Sequence, residues 1–278
     1  MKVRRAPRPM DKRAKLLLLT DIAGPVFGTE QFCLFLYSLV RMHEPRIIVE
    51  LGTGLGVSAF WMALAAKLNG HGHVWTVDDL EYFEQNTTLV KKICSELDRM
   101  GFGSVKFGTP KEYLEGVAKL LQIDSQLTFI NTRIDLNEAR HFEQYPFGDQ
   151  PIDLLFSDFK HGPEAVLAIL GHFLPRMSPS SSIFIDSAAT YWPSFLLLEN
   201  LVTQLNHGKV AKLLQDRTSV DLSHLVRNLR IVLVHLTEAK TRAQNSTVWL
   251  KIEPIDVVPQ PATYMRDFGD DEPGKRFL

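Results

Sequence analysis

The chain has 278 residues, 45% of them hydrophobic, and a formal net charge of -1. This length suits one large α/β domain with extensions, and the near-neutral balance gives no overall attraction to nucleic acid or anionic membranes. Two cysteines exclude a disulfide framework and a cysteine zinc site, and they fit the reducing cytoplasm, where we expect the protein to act.

Residues 1–24 are predicted to form a basic arm exposed to solvent. Its first fifteen residues include seven cations, which are Lys2, Arg4, Arg5, Arg8, Lys12, Arg13 and Lys15. Pro7 and Pro9 disfavour a helix there. The apolar run at 16–19 is far too short to span a bilayer, so we predict a soluble protein without a membrane or nucleic-acid partner.

Strand and helix patterns alternate after residue 45, which predicts a parallel sheet covered by helices. The predicted helices cover residues 29–43, 58–69, 86–100, 110–122 and 163–176. The predicted parallel strands cover residues 47–51, 74–78, 127–131, 152–157 and 182–186. Residues 229–237 and 246–253 are predicted to close the sheet as an antiparallel pair. The remaining tail, 256–278, is predicted to be irregular.

The segment from Arg46 to Ser58 is the strongest functional signal. Its β-branched run predicts a buried strand, and Gly52, Gly54 and Gly56 permit a tight turn with close backbone approach to a ligand. Ser58 opens a predicted helix whose first N–H groups would face that ligand. We therefore expect a polar or anionic ligand group at this turn.

The spacing of the glycines separates two kinds of cofactor. A dinucleotide site has G-x-G-x-x-G, whereas these glycines occupy alternate positions and the strand ends in Glu50, which would repel a pyrophosphate. The run Glu50-Leu-Gly52-Thr-Gly54-Leu-Gly56 resembles the first motif, E-x-G-x-G-x-G, of class I S-adenosylmethionine-dependent methyltransferases. The resemblance covers about residues 25–255. It implies an α/β, Rossmann-like, seven-stranded sheet, mostly parallel with one antiparallel strand and helices on both faces.

A second acid supports an adenosine-containing cofactor. Asp78 ends the second predicted strand, where a carboxylate can accept both ribose hydroxyls, and Asp79 offers a further acceptor. In the resembled family the acid at this place holds the ribose, and residues 132–135 lie where adenine contacts are expected. The predicted S-adenosylmethionine-binding residues are Glu50, Gly52, Thr53, Gly54, Gly56, Ser58, Asp78, Asp79, Arg133 and Asp158.

Titratable residues follow the fourth and fifth predicted strands. Asp158, Lys160 and His161 bring together a carboxylate, an amine and an imidazole that can remove a proton from a hydroxyl. Asp186 ends the fifth strand and would lie near Asp158, so the two acids could share a hard cation or one could act as a base. The predicted catalytic residues are Asp158, Lys160, His161 and Asp186.

These strand ends narrow the likeness to the catechol and caffeoyl-CoA O-methyltransferase group. That group has a metal-binding Asp followed three positions later by Lys, and Asp-Asn metal ligands after the fifth strand. Here Asp158 has His161 at the third position, and Asp186 is followed by Ser187. Two of three ligands are present, so no residue is assigned to a metal and a magnesium ion is left open. The segment 26–31 also looks like that group's pocket entrance.

We therefore predict an S-adenosylmethionine-dependent methyltransferase that acts on a small molecule, with oxygen as the methylated atom. Two alternatives remain: a non-catalytic cofactor-binding or protein-interaction module, and an NAD-dependent dehydrogenase, which the glycine spacing disfavours. Tyr191 and Trp192 are predicted either to wall a planar acceptor or to pack in the core, and Trp61 and Trp75 to lie in the core. A homodimer is left open.

Overall fold

A computed structural model describes residues 11–24, 29–135, 147, 150–237 and 246–255. The helices are α1 (Lys12–Ala23), α2 (Glu30–His43), α3 (Val57–Asn69), α4 (Glu81–Gln85), α5 (Thr87–Arg99), α6 (Pro110–Leu121), α7 (Pro163–Phe173), α8 (Trp192–Asn206), α9 (Lys212–Gln215) and α10 (Leu225–Asn228). The strands are β1 (Ile47–Leu51), β2 (His73–Asp78), β3 (Leu127–Asn131), β4 (Ile152–Ser157), β5 (Met177–Asp186), β6 (Leu229–Thr237) and β7 (Ser246–Pro254).

The strands form one seven-stranded sheet in the order β3-β2-β1-β4-β5-β7-β6. Strands β1 to β5 pair in parallel, and β7 runs antiparallel to both of its neighbours. This confirms the predicted sheet with one antiparallel strand. The strand order reverses between β1 and β4, and the carboxyl ends beside such a reversal form the crevice where ligands bind in open α/β sheets.

Helices cover both faces of the sheet, as predicted. Side chains alternate along β1, so Ile48 packs with the cluster that includes α3, while Val49 packs with the cluster that includes α7 and α8. Trp61 is fully buried in the first cluster, which confirms its predicted core position, and Trp75 is partly buried against the second cluster. The β1 strand is therefore held from both sides, and its end presents the glycine turn on a rigid base.

Residues 12–23 contradict the prediction of a solvated basic arm. They form α1, and Leu16, Leu19 and Ala23 on one side of this helix are buried in the core. Thr20 joins α1 to α3, because its hydroxyl accepts a hydrogen bond of 3.0 Å from the indole N–H of Trp61. The prediction was wrong here because these apolar residues recur at helical spacing, which indicates a helix packed on the core in spite of the neighbouring charges.

Other differences from the predicted elements are smaller. The strand β5 begins at Met177, five residues before its predicted start, and α8 was not predicted at all. Both cysteines are buried, Cys33 in α2 and Cys94 in α5. In the part of the chain that the structure describes, no helix is long and apolar enough to cross a membrane. Residues 1–10, the tail 256–278 and residues 26–28 of the predicted pocket entrance lie outside the described residues.

Candidate cofactor and catalytic site

Two of the three glycines in the turn after β1 have close neighbours where a side chain would begin. A Cβ atom on Gly52 would lie 2.2 Å from the backbone oxygen of Asp158, and a Cβ on Gly56 would lie 2.7 Å from the Leu114 side chain. Both glycines have positive φ, 94° and 77°. Gly52 therefore lets the end of β4 approach β1, and Gly56 lets α3 begin against α6.

Glu50 lies beneath this turn in a buried polar network. Its carboxyl group is fully buried and accepts hydrogen bonds from the hydroxyls of Ser58, at 2.5 Å, and Thr76. Because Thr76 donates to Glu50, its oxygen accepts the 2.6 Å hydrogen bond from Thr53. Burial raises the pKa of Glu50 to about 7. The structure thus places Glu50 behind the cavity wall, where it supports Thr53 and Ser58, which line the cavity.

The raised pKa of Glu50 predicts how stability changes with pH. The folded protein holds this proton more tightly than the unfolded chain, so the free energy of unfolding falls as pH rises from about 4.5 to about 7. The size of this fall is on the order of 3 kcal/mol. We expect Glu50→Gln to remove it, as measured by urea unfolding between pH 5 and pH 8. Parallel curves for the two proteins would show that Glu50 does not titrate in this range.

Asp78 is fixed at the end of β2 by backbone donors. One carboxylate oxygen accepts a 2.9 Å hydrogen bond from the Gly54 N–H, and the other accepts a 2.6 Å hydrogen bond from the Leu80 N–H. Leu80 has a φ of 68°, in the left-handed region that few non-glycine residues adopt. This turn starts α4 and brings Glu81 and Tyr82 to the same cavity.

The cavity lies at the carboxyl ends of β1, β2 and β4 and has a volume of about 370 Å³. Its walls contain most of the predicted site residues, which are Gly52, Thr53, Gly54, Ser58, Asp78, Asp79, Arg133, Asp158, Lys160 and His161. The described lining does not include Glu50, Gly56 or Asp186. Sequence reasoning missed Glu81, Tyr82 and Phe159. Their positions directly after Asp79 and Asp158 were the available signal.

Asp158, His161 and Asp186 meet at the edge of this cavity. Each offers one atom that could ligate a metal, and these atoms lie within 4.8 Å of one another. Asp186 is fully buried, and its two carboxylate oxygens accept hydrogen bonds from Ser187 at 2.7 Å and Thr247 at 3.0 Å. The structure thus brings together three of the four predicted catalytic residues from the ends of two neighbouring strands.

The imidazole of His161 has a defined tautomer when it is neutral. Its Nδ1 lies 2.8 Å from the backbone oxygen of Asp186, and a carbonyl oxygen can only accept a hydrogen bond. Nδ1 therefore carries the hydrogen, and the lone pair is on Nε2. Lys160, the other predicted base, is exposed, and its amine lies 5.2 Å from the ring centre of Phe159.

The donor atoms do not fit the oxygen-ligand magnesium site that the likeness to the catechol group implies. In that group the residue after the second Asp is a ligand, but here Ser187 is fully buried and its hydroxyl donates to Asp186. A cation would need His161 as its third ligand, and coordination would occupy the lone pair on Nε2. We therefore derive no step of the reaction through a metal.

Comparison with known proteins places this site in a family. Residues 49–188 match the sequence model of a family described as a methyltransferase domain. The match covers half of the chain and includes every predicted site residue. The chain therefore belongs to this methyltransferase family. Family membership does not favour the dehydrogenase alternative. A search of the curated proteins finds no match to the sequence.

Solved structures are similar to this chain at low sequence identity. A cofactor-bound protein from MTB has a TM-score of 0.52 and 13% identity, and the alignment covers 89% of this chain and 92% of that one. An O-methyltransferase from Bacillus cereus in complex with SAH has a TM-score of 0.48 and 15% identity, and the alignment covers 89% of this chain and 94% of that one. The O-methyltransferase TomG from Streptomyces achromogenes, in complex with SAM, has a TM-score of 0.46 and 14% identity. That alignment covers 88% of this chain and 91% of the other. Because its identity is only 13%, the protein from MTB supports the fold of this chain and not its activity.

Proposed function

We propose that this chain transfers the methyl group of S-adenosylmethionine to an oxygen atom of a small molecule, within a domain that spans residues 25–255. The observation that carries the proposal is that Asp78, the glycine turn and His161 face one cavity in a member of the methyltransferase family. A binding group for an adenosine and a base for a hydroxyl therefore lie in the same crevice.

In the proposed complex the cofactor lies along the strand ends. Each oxygen of the Asp78 carboxylate has a second lone pair beyond its backbone hydrogen bond, so both can accept from ribose hydroxyls. Arg133 and Ile134 would flank the adenine, and Thr53 and Ser58 would face the methionine end. The positive sulfonium would lie towards Asp158, whose carboxylate favours a cation in this crevice.

The proposed reaction needs one proton acceptor. Nε2 of His161 takes the proton of the acceptor hydroxyl while the acceptor oxygen forms a bond to the methyl carbon. The bond between that carbon and sulfur breaks, and its electron pair stays on the sulfur, so S-adenosylhomocysteine leaves uncharged. Carboxylate oxygens of Asp158 and Asp186 lie within 4.8 Å of a His161 ring nitrogen, so the base lies beside two acids. Holding the oxygen in line with the methyl group supplies the remaining catalysis.

Calorimetric titration tests the cofactor assignment. We expect the wild-type chain to bind S-adenosylmethionine and to show no binding of NAD. Asp78→Asn should lower the affinity for S-adenosylmethionine by roughly tenfold to a hundredfold, because the ribose loses hydrogen bonds to a charged acceptor. The matched control is Asp79→Asn, which should change it less because Asp79 is exposed. Equal losses would refute the role of Asp78, and failure of the wild type to bind would refute the proposed function.

Chelation of divalent cations tests whether His161 removes the proton without the help of a metal. Turnover with a panel of phenol and catechol acceptors should stay within about twofold after dialysis against EDTA, because proton removal is assigned to His161 and not to a metal-bound water. Added Mg²⁺ should likewise have little effect. Loss of turnover in EDTA that Mg²⁺ or Mn²⁺ restores would show that a cation occupies the Asp158, His161 and Asp186 cluster.

A further inference from the structure

We propose that Tyr191 and Ser194 are positioning residues that hold the imidazole of His161 in its catalytic orientation. Neither residue was predicted to act on His161, and neither is among the described residues that line the cofactor cavity. The proposal rests on the proposed function for the role of His161 as a base. The orientation of the ring, however, can be measured without any reaction.

Ser194 fixes the backbone of His161. Its side chain is fully buried in the first turn of α8, and its hydroxyl donates a 2.5 Å hydrogen bond to the backbone oxygen of His161. The Ser194 N–H in turn donates to the backbone oxygen of Tyr191 at 2.8 Å. The loop after β4 is therefore tied to the start of a fifteen-residue helix.

The ring of Tyr191 lies beside the imidazole in an offset stack. The two rings are stacked, with centroids 5.6 Å apart and an angle of 23° between their planes. A ring in this position opposes rotation about χ2, the torsion that would exchange the places of Nδ1 and Nε2. The stacking therefore supports the hydrogen bond from Nδ1 to the Asp186 carbonyl oxygen, which leaves the lone pair on Nε2.

All three contacts to His161 come from one connection, the segment from the end of β5 to the start of α8. Within it, the Thr190 and Tyr191 N–H groups donate to the backbone oxygen of Ser187 at 3.0 and 3.2 Å. Ser187 has a φ of 56° and is fully buried, so the turn is closed by a residue in an uncommon conformation. A turn of defined shape thus places the Asp186 carbonyl, the Tyr191 ring and the Ser194 hydroxyl around one imidazole.

The main test compares four variants of the whole chain, and the first, Ser194→Ala, removes the hydroxyl that donates to the His161 backbone oxygen. Tyr191→Phe keeps the stacked ring, Tyr191→Leu removes it, and Trp192→Leu removes a neighbouring exposed ring that stacks on Phe195 instead. Nitrogen-15 NMR of the imidazoles reports the tautomer of His161, whose signals are identified by their loss in His161→Gln. Turnover and calorimetric affinity for S-adenosylmethionine are measured on the same proteins.

For the wild type, Tyr191→Phe and Trp192→Leu we expect one neutral tautomer with the hydrogen on Nδ1. Tyr191→Leu should show a mixture of tautomers and roughly tenfold lower turnover, with unchanged affinity for S-adenosylmethionine, because only the base is misaligned. Ser194→Ala should show the same mixture of tautomers as Tyr191→Leu, because the His161 backbone is no longer tied to α8. A single Nδ1–H tautomer in both Tyr191→Leu and Ser194→Ala would overturn the proposal. If the wild type transfers no methyl group, the proposed function fails, while the NMR result still decides the positioning role.

Discussion

Replacing His161 with glutamine should lower the turnover of methyl transfer by about 10²- to 10⁴-fold, the usual contribution of a positioned general base. Glutamine keeps a side chain of similar reach and polarity, but its amide cannot accept a proton at neutral pH. The wild-type imidazole has its Nδ1 hydrogen engaged by the Asp186 carbonyl, so the lone pair on Nε2 is the only one that can take the acceptor proton.

The measurement is the rate of S-adenosylhomocysteine release with a panel of phenols and catechols at saturating cofactor. Affinity for S-adenosylmethionine, from calorimetry, should change little in His161→Gln, since Asp78 and the glycine turn remain intact. Lys160→Gln is the matched control, because Lys160 lines the same cavity but is exposed. A greater loss in Lys160→Gln than in His161→Gln would transfer the role of base to the lysine.

The strands and the cofactor side of the site could be predicted because their signals are local. The alternation of strand and helix patterns, together with runs of β-branched residues, predicted the five parallel strands. Each of these strands ends in a polar residue that lies in the same short segment of sequence. Asp78 and Asp158 were therefore predicted to reach one cavity, and both line it. The functional roles of these residues stay predictions that the binding and turnover experiments address.

The catalytic side was harder to predict because its geometry depends on packing between distant segments. The stacking of Tyr191 on His161 joins residues thirty positions apart, and it depends on α8, which the sequence pattern did not predict. Tyr191 and Trp192 were predicted to wall an acceptor or to pack in the core. They are instead 44% and 60% exposed, which argues against core packing and leaves the acceptor role untested.

The glycine turn was predicted to serve a ligand, and the structure adds a second requirement. Gly54 donates its N–H to Asp78 and lines the cavity, which fits the predicted cofactor role. Gly56 is buried against Leu114, so its missing side chain makes room for helix packing. A sequence motif cannot separate these requirements, because both need a residue without a Cβ atom at positive φ.

Gly52→Ala should be the most destabilising substitution in this turn, lowering the free energy of unfolding by roughly 3 kcal/mol or more. An added Cβ would lie 2.2 Å from the backbone oxygen of Asp158 and 2.8 Å from its carbonyl carbon, and backbone atoms cannot rotate away. The φ of 94° adds strain for any L side chain. Relief would require β1 and β4 to separate where the Asp158 N–H donates to the Leu51 oxygen at 2.8 Å.

Gly70→Ala is the matched control for this prediction. Gly70 also has a positive φ, 80°, but a Cβ there would have no heavy atom within 4 Å. The control therefore carries the conformational cost alone, about 1 to 2 kcal/mol. Urea unfolding of the two variants at the same pH separates the steric effect from the conformational one. Equal destabilisation would show that the β4 end can move away from Gly52. A larger loss in Gly52→Ala, accompanied by weaker binding of S-adenosylmethionine, would show that the same contact that joins β1 to β4 also sets the position of Asp158.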